Sequence, residues 1–149
     1  MADKYFDRNE AEELLPTLTP WLKEARDEKQ KIDAYKMDLT EAASRIMILG
    51  GTFPPFAELL RKKSEHDAAA ARLAEIVEQI QETGCLVKDL DVGLVDFPSL
   101  LDGEEIYLCW KLGEERVAFW HGIEEGFAGR KPLDEPGAGP TPPPGTRLQ

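Results

Sequence analysis

Long apolar runs are missing from this chain. No stretch approaches the roughly 18 uninterrupted apolar residues that a spanning helix needs, and the N-terminus Met1-Ala2-Asp3-Lys4-Tyr5 is too polar for a secretory signal. The pattern therefore excludes a membrane protein and predicts a cytoplasmic address. Cysteine is scarce: Cys85 and Cys109 could pair only with each other, and a cytosolic address with a core of ample size favours reduced thiols. Positive charge is also short: 18 basic residues are interleaved with 29 acidic ones for a net charge of -11. Without Lys and Arg gathered on one face there is nothing to release counterions from a phosphate backbone, so nucleic acid is excluded as a partner. No nucleotide-binding glycine loop, nucleophile elbow, His-Glu-x-x-His or paired-cysteine motif occurs. The sequence thus assigns no catalytic residue and no cofactor.

What is present is periodicity. From Ala11, apolar residues recur in steps of three and four through Leu14, Leu18, Trp21, Ala25, Ile32, Tyr35, Leu39, Ala42, Ile46 and Leu49, interrupted by Glu28. This heptad seam predicts a coiled-coil-like helix. Asp7 with Glu10 forms a capping box at its start, and Gly50-Gly51 provides a stop. Pro16 and Pro20 predict a kink or restart inside it. A second helix follows Thr52-Phe53-Pro54-Pro55 and runs to about Thr83, where Gly84 ends it. Its seam (Phe56, Leu59, Ala70, Leu73, Val77, Ile80) carries Lys63 and His66 at two expected apolar positions. These two and Glu28 read as margins or register markers. A short link makes the two helices an antiparallel hairpin. With Leu49 opposite Phe56, the second helix reaches back only to about Trp21, leaving Leu14, Leu15 and Leu18 without a partner in the hairpin. Either the C-terminal unit folds over them or a second subunit does.

After Gly84 the period changes from 3.6 to 2. Leu86 to Leu90 predicts a strand, and Glu104 to Leu112 with Glu115 to His121 predicts a hairpin closed by Gly113-Glu114. That register sets Trp110 against Val117, Leu108 against Phe119 and Ile106 against His121, on a face turned to the helices. Tyr107, Cys109, Ala118 and Trp120 then form the other face. Asp91 to Gly103 reads as a long connection between strands. The fold class is α+β: a single domain over 1–133, with helices about 8–49 and 54–83 and a small antiparallel sheet unit over 85–131. The Pro- and Gly-rich residues 134–149 have almost nothing to bury and predict a disordered tail.

Several motifs together resemble a bacterial family catalogued as domain of unknown function 2203: Lys88-Asp89, Gly93-Leu94-Val95-Asp96-Phe97-Pro98, Leu108-Cys109-Trp110, Gly113-Glu114, Trp120-His121 and Gly126-Phe127-Ala128-Gly129-Arg130. Leu14-Leu15-Pro16 near the start resembles it too, and the likeness covers roughly residues 5 to 133. It implies a bacterial, cytoplasmic helical-hairpin protein. No activity or site residue follows from it.

Two functions fit these residues. In the first, the hairpin dimerises as a structural or protein-interaction module, supported by helical pairs such as Asp27 with Lys31, Glu41 with Arg45 and Glu58 with Lys62. In the second, Asp89, Asp91, Asp96, His121, Glu124 and Arg130 assemble a metal or small-anion site in the C-terminal unit, since carboxylates with an imidazole suit divalent cations and Arg suits anions. Asp89-x-Asp91-x-Gly93 fails the calcium-loop template. Each residue also has a plainer role: His121 satisfied by a nearby carboxylate, Arg130 paired with Asp96, and Cys109 as a small packing residue. Trp21, Trp110 and Trp120 fit core and cross-strand packing.

Overall fold

The computed structural model describes residues 4–49 and 56–133, less the side chains of residues 46, 49 and 56. The glycine pair, the prolines before the second helix and the C-terminal tail lie outside the described residues. Helix α1 spans Arg8–Leu49. Its capping box forms as the sequence requires: the Glu10 amide donates to Asp7 Oδ1 at 2.7 Å and the Asp7 amide to Glu10 Oε1 at 3.2 Å. Of the kink or restart expected at the prolines, the restart does not occur: α1 runs as one helix through Pro16 and Pro20. Both rings are exposed, so the carbonyls that lose a donor lie on the side water can reach. Helix α2 spans Phe56–Glu82 and ends where Gly84 N donates to Gln81 O at 2.9 Å. No described helix is long and apolar enough to cross a membrane.

The two helices pack antiparallel, with a register different from the one expected. Arg72 grips Glu24 bidentately at 2.7 and 2.9 Å, and Lys62 approaches Asp38 at 3.7 Å. Glu28 therefore lies well short of Val77, Ser44 comes level with the start of α2, and the far end of α2 reaches past Trp21 into the core. The register is set there: Ile76 and Ile80 are fully buried together with Leu18 and Leu22. Lys63, His66 and Glu28 make local helical pairs with Asp67 and Lys31, which agrees with their reading as helix margins.

The sheet has five antiparallel strands in chain order: β1 Leu86–Asp89, β2 Leu94–Leu101, β3 Glu104–Lys111, β4 Phe119–Gly122 and β5 Lys131–Pro132. Two expectations are corrected. First, Asp91 to Gly103 is no connection; it contains β2, the most buried strand of the sheet. Burial on both sides leaves the strand as an apolar run without alternation, and a proline inside such a run counts against a strand. Pro98 is tolerated because its carbonyl accepts from the Phe6 amide at 2.7 Å. The N and O of a strand residue share a side, so the missing N–H falls outside the β2–β3 ladder. The turn into β3 is Asp102-Gly103, with φ of 52° and 85°, the positive pair of a type I′ hairpin. Second, β3 and β4 are one residue out of the expected register: Leu108 pairs with Trp120 and Tyr107 with His121. Residues 112–118 form a longer link, pinned by Trp110 Nε1 to Glu114 O at 2.8 Å and the Val117 amide to Glu12 at 3.0 Å. One step of slip moves His121 and Phe119 to the outer face and Trp120 to the core.

The inner sheet face (Val95, Phe97, Leu108, Trp110, Trp120) lies on Leu15, Leu18 and Leu22 of α1 and Ile76 and Ile80 of α2. Phe6 closes the edge, its ring set edge-on to Phe97 at 5.3 Å. The leucines expected to overhang are thus covered by the C-terminal unit, the first of the two alternatives. Leu15 and Leu18 are buried, and Leu14 packs half-buried against the same core.

Candidate functional site

The outer face of the sheet is where polar chemistry collects. Asp96 lies mid-strand in β2 and pairs directly with Cys109 of β3. His121 of β4 pairs with Tyr107, one step along the same face. Strands β2 and β4 flank β3 and stand about 9.6 Å apart, a gap that an imidazole and a carboxylate reaching toward each other over β3 can close. His121 Nε2 lies 3.0 Å from Asp96 Oδ1, and its Nδ1 lies 2.8 Å from the Gly122 carbonyl oxygen. The Cys109 thiol stands close enough to Asp96 for the carboxylate charge to act on it. One donor atom from each of Asp96, Cys109 and His121 lies within 4.8 Å of the others. All three residues are buried, with Asp96 2%, Cys109 0% and His121 3% exposed.

The surroundings hold this cluster in place. Tyr107 sets its ring edge-on to His121 at 5.6 Å, and Lys88 places its ammonium 5.0 Å from the Tyr107 ring centre. Arg130 is clasped between Phe119 and Phe127, at 4.0 and 4.6 Å. Its guanidinium bonds Glu114 twice, at 3.0 and 2.7 Å, and reaches the Cys109 carbonyl at 3.3 Å. Arg130 therefore fixes the backbone that carries the thiol. Burial, then the Asp96 charge, pushes the Cys109 thiol up to about 12. A thiol so protonated and so enclosed is no nucleophile at neutral pH. Burial also raises Tyr107, helped by Glu105 and Asp96.

Of the residues singled out from sequence, the fold brings Asp96 and His121 into contact and sets Arg130 one residue's backbone away. Arg130 does not pair with Asp96 as expected; Glu114 takes it, because the longer link between β3 and β4 carries that carboxylate to the outer face. Asp89 and Asp91 lie elsewhere. Asp89 Oδ1 accepts from the Asp91 amide at 2.9 Å, and Asp91 bonds Lys29 of α1 at 3.0 Å, stitching the β1–β2 turn to the helix. Glu124 is exposed after β4. Cys109 was missed as a site residue. The signal that would have found it is the lone carboxylate in Leu94-Val95-Asp96-Phe97: once that run is a strand, Asp96 needs a buried partner, and the strand after Asp102-Gly103 places Cys109 opposite it.

Residues 4–133 match the family model DUF2203, described as an uncharacterised conserved protein. No curated protein and no solved structure matches the chain.

Proposed function

We propose, from the premise that this chain belongs to the DUF2203 family of uncharacterised conserved proteins, that it binds a divalent metal ion of the zinc class through Asp96, Cys109 and His121. The observation that carries the reading is the orientation of His121. A carbonyl oxygen only accepts, so Nδ1 facing Gly122 O must donate. This is the outer-shell bond that turns the Nε2 lone pair of a metal-ligating imidazole toward its ion. Here that lone pair meets a carboxylate oxygen at 3.0 Å. Two acceptors at that distance need a cation between them, either a proton or a metal. Carboxylate, thiolate and imidazole form a zinc donor set, and bonds of about 2.0–2.1 Å in a tetrahedral site space nitrogen and oxygen ligands about 3.3 Å apart. The two free buried thiols fit a reducing, cytoplasmic address.

Metal-stripped protein titrated with zinc against a chromophoric chelator is expected to bind one ion with a dissociation constant below about 1 µM. Cys109→Ser is expected to weaken this by more than the roughly 10–100-fold that loss of an outer-shell partner costs. The sign with pH follows from the raised thiol. Binding expels the Cys109 proton, so apparent affinity rises about tenfold per pH unit for that proton as pH increases through neutrality. Zinc left wholly with the chelator would reduce the cluster to a hydrogen-bonded pair that pins β2 to β4.

A separate observation favours a second reading, self-association. Met37, Met47, Ile48 and Leu60 are 73%, 85%, 78% and 51% exposed, all in the half of the hairpin remote from the sheet, with Met47 and Ile48 where α1 extends past the start of α2. A second copy of the chain, meeting this one through the same residues, would cover them on both sides of a two-fold axis. Sedimentation equilibrium is expected to give a dimer at micromolar concentration and a monomer for the Met47→Glu, Ile48→Glu double variant. A monomeric parent protein would sink the idea.

A further inference from the structure

Beside the three donors lies a cavity of about 140 Å³. Asp96 and His121 form part of its wall, with Lys88 and Tyr107 beside them and Ile123 and Phe127 at its margin; Cys109 is absent from the lining. A metal held by three protein donors in a tetrahedral site keeps one position open. With the thiolate on the far side, that position faces the cavity. We infer, resting on the metal reading above, that the cavity seats a small monoanion of carboxylate size as the fourth ligand of the ion.

Charge selects the class of ligand. A divalent ion is neutralised by the Asp96 carboxylate and the Cys109 thiolate, and neutral His121 adds nothing. Of the two other charged groups lining the space, Glu125 is already engaged: its Oε1 accepts from Lys131 Nζ at 2.6 Å and from the Gly122 amide at 2.8 Å. Lys88, which among the described residues is held only over the face of Tyr107, remains as the charge to be met. One negative charge completes the site. Volume selects the size. At about 30 Å³ for each water-sized group, the space holds roughly four or five non-hydrogen atoms. Acetate fits that limit, whereas benzoate exceeds it. The apolar side chains of Leu94, Ile123 and Phe127 in the lining suit the methyl end of such a ligand.

The test uses the full chain loaded with cobalt(II), whose visible bands report the ligand set. A thiolate-to-cobalt charge-transfer band is expected on loading. Sodium acetate should then shift the ligand-field bands to saturation while the thiolate band persists, and benzoate at equal concentration should not. Lys88→Met, at an exposed position, should weaken acetate about tenfold when the titration is made on protein saturated with cobalt. Cobalt bound with bands indifferent to acetate would overturn the cavity assignment and leave the metal reading standing. So would equal responses to acetate and benzoate, or an unchanged acetate affinity in Lys88→Met. Failure of cobalt to bind, with no thiolate band, would overturn the metal reading and this inference with it.

Discussion

His121→Ala is expected to destabilise the metal-free protein by about 2–5 kcal/mol, because it removes a buried ring and leaves the buried Asp96 carboxyl without its hydrogen-bond partner. The loss comes from what stays behind. Asp96 is 2% exposed, and the group that remains near it in the cluster is the Cys109 thiol, at best a weak donor. Without the imidazole its carboxylate stands desolvated in the middle of β2, and the pocket left by the ring lies beside Tyr107. Removing the second partner should recover much of the loss, since a buried pair replaced as a whole is often nearly neutral. Urea unfolding in the presence of a chelator, across the cycle His121→Ala, Asp96→Ala and the double variant, measures this as a coupling energy. A single variant that costs under about 1 kcal/mol, or costs that simply add, would mean the two groups are not interacting in a dry environment.

Leu18→Ala should cost about 2–5 kcal/mol, whereas Met47→Ala, measured on protein dilute enough to be monomeric, should stay within about 0.5 kcal/mol. Alanine is the better helix former in both places, so local propensity works against the first loss and cannot produce it. The difference is burial. Leu18 is fully enclosed in the core where α1, α2 and the sheet meet, and Met47 is 85% exposed on the projecting end of α1. Urea midpoints with unchanged slopes would register the change as stability alone. A small effect at Leu18 would mean that the sheet does not lie on the N-terminal half of α1, and the covered overhang described above would be lost with it.

The contrast between these two positions shows how much of the architecture was legible. Heptad spacing located both helices, and Asp7, Glu10 and Gly84 marked their ends, because caps and periodicity depend on neighbours within a turn or two. The register between the helices was not legible from the link. It follows from Ile76 and Ile80 being drawn into a core whose other walls come from the sheet. In the sheet, Phe119 and Trp120 are adjacent large aromatics, so alternation alone could not say which faces inward. The link from residue 112 to 118 decided it by its length, through bonds from Glu114 and Glu12. Pro98 concealed β2 because its tolerance depends on Phe6, far away in sequence.

Asp96 and His121 could be named as candidates from residue type alone, and so could Asp89, Asp91, Glu124 and Arg130. Nothing in their spacing separates the first two from the rest. By itself, the sequence determined an acidic α+β chain with a long capped helical hairpin and short strands after it, since those features arise from local geometry and composition. Only the tertiary structure decided that Asp96, Cys109 and His121 share one dry face. Strand pairing joins residues distant along the chain, and a register one residue different would have turned the imidazole into the core and left the carboxylate without it.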